Sequence, residues 1–234
     1  MTEQTELTLG QSIIKNAIGL AIFAMVTAGT IAVVQLNTKD TIEHNIAIAE
    51  AKALYEITPQ DEVDNDLLNA TLNLHNHKQQ LNTNLLGPIS QKAQAHFAQL
   101  NGKVHTVILP VIAPDGYTQA IQLLVGIRID GTVAGVRVVE HRETPGLGDK
   151  VELKKSNWVL SFNGKSLNVP VIEKWKVKKD GGEFDQFTGA TITPRAIVSA
   201  VKQSLVFFEE YKTPLLELYK QNQPAPSLQD EATL

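Results

Sequence analysis

The sequence predicts an α+β protein in which a single N-terminal transmembrane helix precedes a domain whose antiparallel sheet packs against helices. Three observations predict this class. Residues 16–38 contain no charged side chain. Residues 121–129 alternate in hydrophobicity, and an Asp130-Gly131 pair separates them from a second strand-like run, residues 132–140, which is typical of a β-hairpin. Residues 195–211 place apolar side chains at helical spacing, which indicates a helix with one buried face.

The composition limits the possible partners and cofactors. The 234 residues carry a formal charge of −4 and include no Cys. Because nucleic-acid binding normally needs a basic surface, the slight acidity argues against a nucleic-acid partner. A sequence without Cys excludes disulfides, thiolate zinc sites and Cys-ligated iron–sulfur clusters. Any redox chemistry must therefore depend on a cofactor that other residues hold.

Residues 1–15 form a polar tail, and residues 16–38 are predicted to be the transmembrane helix. A helix of that length extends about 35 Å, which is enough to cross a bilayer core of about 30 Å. A cleaved signal peptide is the alternative. Its apolar core normally has about 7–15 residues behind a short basic leader, and this leader is neither short nor basic. We therefore favour an uncleaved anchor.

Residues 39–100 are polar and rich in Ala, Glu, Asn and Gln, and we predict a helical membrane-proximal region there. His75 and His77 could suggest a metal site. Two residues at this spacing on a helix point to different faces, so we interpret them as solvated surface. No catalytic or metal-ligating residue is predicted in the chain.

The folded domain is predicted to occupy residues 101–212. Strands are expected over residues 104–112, 121–129, 132–140 and 175–179, a short helix over residues 149–162, and the amphipathic helix over residues 195–211. Residues 213–234 become rich in Gln, Pro, Ser and acidic side chains towards the end, and we predict a disordered tail.

A loop with two glycines follows the third predicted strand of this domain. It contains Glu143, Thr144, Gly146, Leu147 and Gly148. Glycine and proline at a strand end form a tight loop whose backbone can approach a ligand closely. An ordinary connecting loop is the alternative at this point.

A second motif lies directly before the amphipathic helix, and it contains Asp185, Thr188, Gly189, Ala190 and Thr191. We predict that the following Thr193 caps the helix, with Pro194 at the first helical position. Because a helix N-terminus carries a partial positive charge and unpaired N–H groups, a phosphate is favourable beside the Thr191 hydroxyl.

Two other interpretations of the Thr191 motif stay open. The motif could be an ordinary helix cap. Thr191 could also be a nucleophile, which would require a nearby base. No Lys or His adjoins it in sequence, although His141 could approach on folding. A phosphate-binding P-loop is excluded, because no Gly-rich loop ends in Lys followed by Ser or Thr.

Taken together, these motifs resemble the FMN-binding domain family, and within it the G subunits of Rnf/Rsx ion-translocating electron transport complexes. The resemblance rests on the membrane helix and on the sequences of residues 113–117, 121–126, 143–150, 177–182 and 185–195. The C subunit of the sodium-translocating NADH:quinone oxidoreductase carries the same kind of domain and is the alternative within this class. A membrane-tethered module that binds a phosphate ligand without a covalent bond is the alternative from a different class.

The resemblance implies that FMN is bound covalently, through an ester between its phosphate and the hydroxyl of Thr191. A flavin transferase would recognise Asp185, Thr188, Gly189 and Ala190, and the loop from Glu143 to Gly148 would lie near the isoalloxazine ring. Residues 1–15 would be cytoplasmic, and the domain would lie on the periplasmic side of the bacterial inner membrane. The chain would then relay electrons between ferredoxin and NAD with the other Rnf/Rsx subunits, without turning over a substrate of its own.

Overall fold

A computed structural model describes residues 9–223, which divide into two compact units between Ile48 and Ala49. The first described element is helix α1 (Leu9–Ile57), whose 49 residues include a window long and apolar enough to cross a membrane. The hydroxyls of Thr27, Thr30 and Thr38 each donate to a backbone carbonyl one turn earlier, at 2.8–2.9 Å. These polar groups are therefore satisfied within the helix, as a lipid environment requires.

The second unit contains a five-stranded antiparallel sheet. Its strands are β1 (Thr71–Asn73), β2 (Gln94–Leu100), β3 (Lys103–Ala113), β4 (Ile121–Arg128) and β5 (Val133–Glu140), and they pair in chain order. The predicted β4–β5 hairpin is confirmed, with Gly126 opposite Gly135. Gly131 in its turn has a φ of +87°, a backbone region that glycine adopts without steric cost.

Each face of the sheet packs against a different helical segment. Along β4, Leu123 and Val125 face the main core, whereas Leu124 faces a second cluster, as the alternation of a strand requires. Helix α2 (Ile192–Asn222) contributes its buried side chains to the main core. Residues 53–57 of α1 pack into the second cluster. The predicted α+β class is therefore confirmed.

The structure corrects the helical region expected over residues 39–100. Helix ends at Ile57, and β1 and β2 both fall in the predicted helical stretch. The reason is visible in β2: Ala95 and Phe97 are buried in the main core, while Ala98 is buried in the second cluster. Because both faces of β2 are covered, its sequence lacks the polar–apolar alternation that identifies a strand.

Two further expectations are corrected in the second half of the domain. Residues 149–162 form two 3₁₀ turns, Asp149–Val151 and Asn157–Phe162, rather than one helix. The strand expected over residues 175–179 is absent from the described chain. Gly181, at a φ of +80°, turns the backbone, so that Val177 makes only an isolated bridge to Phe184.

The C-terminal boundary also differs from the expected one. Residues 213–222, predicted to be disordered, continue α2 through Pro214. The apolar side chains of Leu215 and Leu218 and the ring of Tyr219 pack into the main core, which stabilises this part of the helix. The rest of the predicted tail, residues 224–234, lies outside the described residues, as does the start of the polar N-terminal tail, residues 1–8.

Candidate functional site

A pocket of about 300 Å³ lies between the loop that follows β5 and the N-terminus of α2. Its lining residues are Tyr117, Glu143, Thr144, Leu147, Gly148, Gly189, Ala190, Thr191, Ile192 and Thr193. The two motifs that the sequence singled out, more than forty positions apart, therefore meet in one cavity. Its volume is at the lower end of the range of small-molecule sites.

Three predicted site residues lie beside the pocket rather than in its lining. Asp185 is exposed and its Oδ1 is 2.7 Å from Nζ of Lys178. Thr188 is also exposed. Gly146 has a φ of +78°, and its N–H donates to Oδ1 of Asp149 at 2.8 Å. Gly146 therefore shapes the loop, and the structure gives Asp185 and Thr188 no contact with the cavity.

Thr191 occupies the N-cap position of α2, which begins one residue later at Ile192. The prediction that Thr193 caps the helix is therefore wrong. Within residues 9–223, the Thr191 side chain makes no capping hydrogen bond. Thr191 lines the pocket at a helix N-terminus, where an anionic group is favourable.

The Thr193 side chain bonds to the loop instead of capping its own helix. It is fully buried, and its hydroxyl donates to Oε2 of Glu143. Oε1 of the same carboxylate accepts from the N–H of Thr118 at 3.1 Å. A Cβ on Gly148 would lie only 2.9 Å from Oε2 of Glu143, so this glycine gives the carboxylate its space. Sequence reasoning missed both hydrogen bonds, since no local pattern links positions this far apart.

Exposed apolar side chains form the rim of the pocket. Tyr117 is 64% exposed, Leu147 is 42% exposed and Ile192 is 45% exposed. Tyr117 and Ile192 were not predicted as site residues, although Tyr117 belongs to a motif that carries the family resemblance. A hydroxyl at a helix end beside an apolar rim suits a ligand with a phosphate at one end and a flat apolar ring at the other. FMN has this chemistry, and the residues present fit it.

Comparison with known proteins supports this fit. Residues 116–206 match the FMN-binding domain, and residues 1–57 match the RnfG N-terminal region. The G subunit of an ion-translocating oxidoreductase complex from Vibrio atlanticus is 43% identical over 202 residues, which cover 86% of this chain and 93% of that protein. The chain belongs to the G-subunit family of ion-translocating oxidoreductase complexes. Subunits of the same name from Pseudomonas aeruginosa and Vibrio cholerae are 46% and 42% identical, over 88% and 91% of this chain and 93% and 95% of theirs.

The family assignment decides between the two subunit types that the motifs left open, since the N-terminal match is to the RnfG family. All of the pocket-lining residues of this G-subunit chain lie within the matched FMN-binding domain, between Tyr117 and Thr193. The domain match and the pocket therefore coincide.

Two ion pairs hold the segment before Thr191 in this G-subunit chain. Arg195, in the first turn of α2, donates from Nε and Nη2 to the two carboxylate oxygens of Asp180, each at 2.6 Å. The hydrogen bond from Arg195 lowers the pKa of Asp180, and the same bond raises the pKa of Arg195. The hydrogen bond to Asp185 raises the pKa of Lys178. Both pairs are at the surface, so we assign them a role in orienting the turn rather than a large stabilisation.

His141 was the candidate base for a nucleophilic Thr191, and the structure places it in other contacts. Its Nε2 is 3.0 Å from Oε1 of Glu152, and its Nδ1 accepts from the N–H of Glu143. Among the described residues that line the pocket there is no His, Lys or Arg. His141 therefore does not lie where it could serve as the base that a nucleophilic Thr191 would require.

Proposed function

We propose that this chain is an electron-relay subunit of an ion-translocating oxidoreductase complex that carries FMN esterified through its phosphate to the hydroxyl of Thr191. The observation that carries the proposal is the position of that hydroxyl. Thr191 is the N-cap of α2, its side chain makes no capping hydrogen bond within the described residues, and it lines a pocket with an apolar rim.

The electrostatics of α2 favour the phosphate of the ligand at Thr191. Its N-terminus carries a partial positive charge, so a phosphate on Thr191 would be stabilised there. Pro194 supplies no N–H, but Ile192 and Thr193 do. The ester would form between Oγ1 of Thr191 and phosphorus, with a net loss of one water. The tether would prevent loss of FMN by dissociation, and a flavin transferase would install it at Asp185–Thr191.

The ring end of the ligand is supported by the exposed apolar rim. Tyr117, Leu147 and Ile192 all line the pocket, and each is more than 40% exposed. A flavin ring that lies on them would cover this surface. FMN, when bound, supplies the transfer of one or two electrons, while the residues around it orient the ring and set its electrostatic surroundings.

The family membership supports a location of this electron-relay subunit in a membrane complex. The relatives are named as subunits of ion-translocating oxidoreductase complexes, and α1 is apolar enough to anchor the chain in a membrane. We place residues 1–15 in the cytoplasm and the FMN domain on the periplasmic side of the bacterial inner membrane. Electrons would pass between ferredoxin and NAD through the other subunits while ions are translocated.

Intact mass spectrometry of the full chain, purified from its native membrane, tests the proposal. The measured mass should exceed the sequence mass by one FMN minus one water. The excess should be lost in Thr191→Ala, because this change removes the ester oxygen. Thr144→Ala is the matched control, since it removes a hydroxyl from the same pocket but leaves the acceptor.

The same measurement separates the proposal from its alternatives. A wild-type protein of unmodified mass that releases flavin on denaturation would indicate a module that binds its ligand without a covalent bond. An adduct that persists in Thr191→Ala and maps to Thr193 would show that the acceptor is wrongly assigned. Copurification of iron–sulfur subunits with the tagged chain would support the ferredoxin-linked relay, whereas a quinone reductase in its place would contradict it.

A further inference from the structure

Glu143 brings a carboxylate into the wall of the pocket that contains Thr191. Its side chain is 4% exposed, and both of its oxygens accept hydrogen bonds, one from the Thr193 hydroxyl and one from the Thr118 N–H. In the part of the chain that the structure describes, no Lys, Arg or His donates to this carboxylate. Its charge is therefore balanced by dipoles and not by a cation.

These hydrogen bonds also fix where the carboxylate is. Thr193 belongs to the first turn of α2, and Thr118 belongs to the connection between β3 and β4. Gly148 packs against a third side of the Glu143 side chain, since a Cβ on this glycine would lie only 2.9 Å from both Cβ and Oε2 of Glu143. The side chain cannot turn towards solvent without breaking both bonds. The charge consequently stays at one place beside the cavity.

A fixed buried charge acts strongly on any redox group in the same pocket. Charges interact more strongly in a protein interior than in water, and salt screens them less there. Reduction adds electrons to a flavin, so a neighbouring negative charge makes reduction less favourable. The direction of this effect depends on the sign of the charge and not on the orientation of the ring.

We propose that Glu143 lowers the reduction potential of the flavin held on Thr191 by keeping a negative charge in the wall of its pocket, an inference that rests on the proposed function. Glu143 then has a task beyond shaping the loop. It would bias the bound flavin towards giving up electrons to the next acceptor in the complex.

A redox titration of the flavin-loaded full chain in detergent, followed by visible absorbance, tests the proposal. Glu143→Gln removes the charge and keeps the size of the side chain, so the potential should become more positive. Thr193→Val removes a hydrogen-bond donor but keeps the charge, so the potential should stay unchanged or become more negative. A purely structural role predicts shifts of the same sign in both variants, because both alter the hydrogen bond between residues 143 and 193. Shifts of the same sign, or an unshifted Glu143→Gln, would overturn the proposal.

Glu140→Gln is the matched control. Glu140 is a carboxylate at the end of β5 that accepts from Nε2 of Gln122 at 2.7 Å and does not line the pocket. Its substitution should shift the potential less, and added salt should abolish that shift because the charge is nearer to solvent. The Glu143→Gln shift should persist in the same salt. Equal shifts in the two variants would mean that any nearby charge has this effect, and would contradict a special role of Glu143.

A measurement on the protein without flavin tests the underlying geometry. In the Thr191→Ala chain, the Thr118 amide should exchange slowly with solvent, and Glu143→Ala in that background should accelerate its exchange. Equal rates would show that the hydrogen bond is absent and would remove the basis of the proposal.

Intact mass distinguishes the two levels of inference. A wild-type chain whose mass lacks the FMN increment would contradict the proposed function itself. A flavin-loaded wild type, together with a Glu143→Gln variant of unchanged reduction potential, would contradict only the electrostatic role of Glu143. Loss of FMN from Glu143→Gln, with Thr193→Val and Glu140→Gln still loaded, would mean that Glu143 builds the site rather than sets its potential.

Discussion

The indole N–H of Trp158 donates a hydrogen bond of 2.7 Å to the backbone carbonyl of Asp185. This bond ties the first residue of the Asp185–Thr191 motif to the 3₁₀ turn Asn157–Phe162. The ring of Phe187, inside the motif, lies edge-on to the ring of Trp158, with a centroid distance of 5.1 Å. Trp158 therefore holds the motif through one hydrogen bond and one ring contact, and the shape of the motif does not depend on its own residues alone.

We predict that Trp158→Phe loosens the motif. The change leaves the Asp185 carbonyl without its donor, which should cost about 1–3 kcal/mol of unfolding free energy. Amides of residues 185–191 should exchange faster with solvent, as measured by hydrogen–deuterium exchange on the full chain. FMN incorporation, measured by intact mass, should fall as the Thr191 acceptor becomes less well positioned.

Trp175→Phe is the matched control for this prediction. Trp175 is also buried, and its indole N–H donates to the carbonyl of Ser166 at 2.9 Å. The substitution should cost a similar unfolding free energy but leave exchange in residues 185–191 close to that of the wild type. Faster exchange of the motif in both variants would show that general destabilisation, and not the Trp158 bond, is the cause.

A methyl group at Gly148 should disturb the pocket for steric reasons. Its Cβ would lie 2.9 Å from Cβ of Glu143 and 3.0 Å from Oγ1 of Thr193, closer than van der Waals contact. Gly148→Ala should lower the unfolding free energy by about 1–3 kcal/mol. Gly146→Ala provides the comparison, since its Cβ would meet no atom within 4 Å but would sit at a φ of +78°.

The Gly146→Ala change should cost about 1–2 kcal/mol through backbone strain alone. The two substitutions can be separated by Thr118 amide exchange, which reports the hydrogen bond to Glu143. Exchange should accelerate in Gly148→Ala and stay near the wild-type rate in Gly146→Ala. Unchanged exchange in Gly148→Ala would mean that the loop relaxes without moving the carboxylate.

The parts of the fold that could be predicted are those with a periodic or local signal. The apolar segment of α1, the Asp130-Gly131 hairpin and the stripe of α2 each carry such a signal within about twenty residues. β2 could not be predicted, because a strand buried on both faces loses its alternation. The continuation of α2 beyond Pro214 depends on burial of Leu215 and Leu218, which is a tertiary effect.

In the candidate site, too, the features with a local sequence signal could be predicted, and a contact between distant residues could not. The Glu143–Gly148 loop and the Gly189–Thr191 turn were predicted from glycine and threonine chemistry, and the structure brings them into one pocket. The cap was assigned to Thr193 because Ser, Thr, Asp and Asn cap helices by local geometry. The carboxylate of Glu143 competes for that hydroxyl from fifty residues away. Contacts at this separation have no signature in a single sequence.

The contact of Ile57, at the end of α1, with the sheet depends on one of two paired glycines. Gly126 and Gly135 are opposite each other on β4 and β5, and both face Ile57. A Cβ on Gly126 would overlap Cγ2 of Ile57, whereas a Cβ on Gly135 would lie 3.4 Å from Cγ1 of Ile57, near ordinary contact. Gly126→Ala should therefore cost about 1–3 kcal/mol, and Gly135→Ala clearly less. Chemical denaturation of the full chain measures both losses of unfolding free energy. Equal losses would show that the strand propensity of glycine, and not the contact with Ile57, determines the cost.

The Asp180–Arg195 pair should make stability depend on acid pH. The hydrogen bond from Arg195 lowers the pKa of Asp180 below its ordinary value of 3.8, so the pair contributes stability above that value and loses it as pH falls through the lower, folded-state pKa. Hydrogen bonds from Thr132 also lower the pKa of Asp130, so Asp130 contributes to the pH dependence of stability in the same range.

A double-mutant cycle with Asp180→Asn and Arg195→Gln isolates the contribution of the Asp180–Arg195 pair. Its coupling energy should be measurable at about pH 6, decline below about pH 4 and weaken in salt because both groups are exposed. A coupling energy that stays constant down to about pH 2 would contradict an ionic bond and indicate a contact independent of charge.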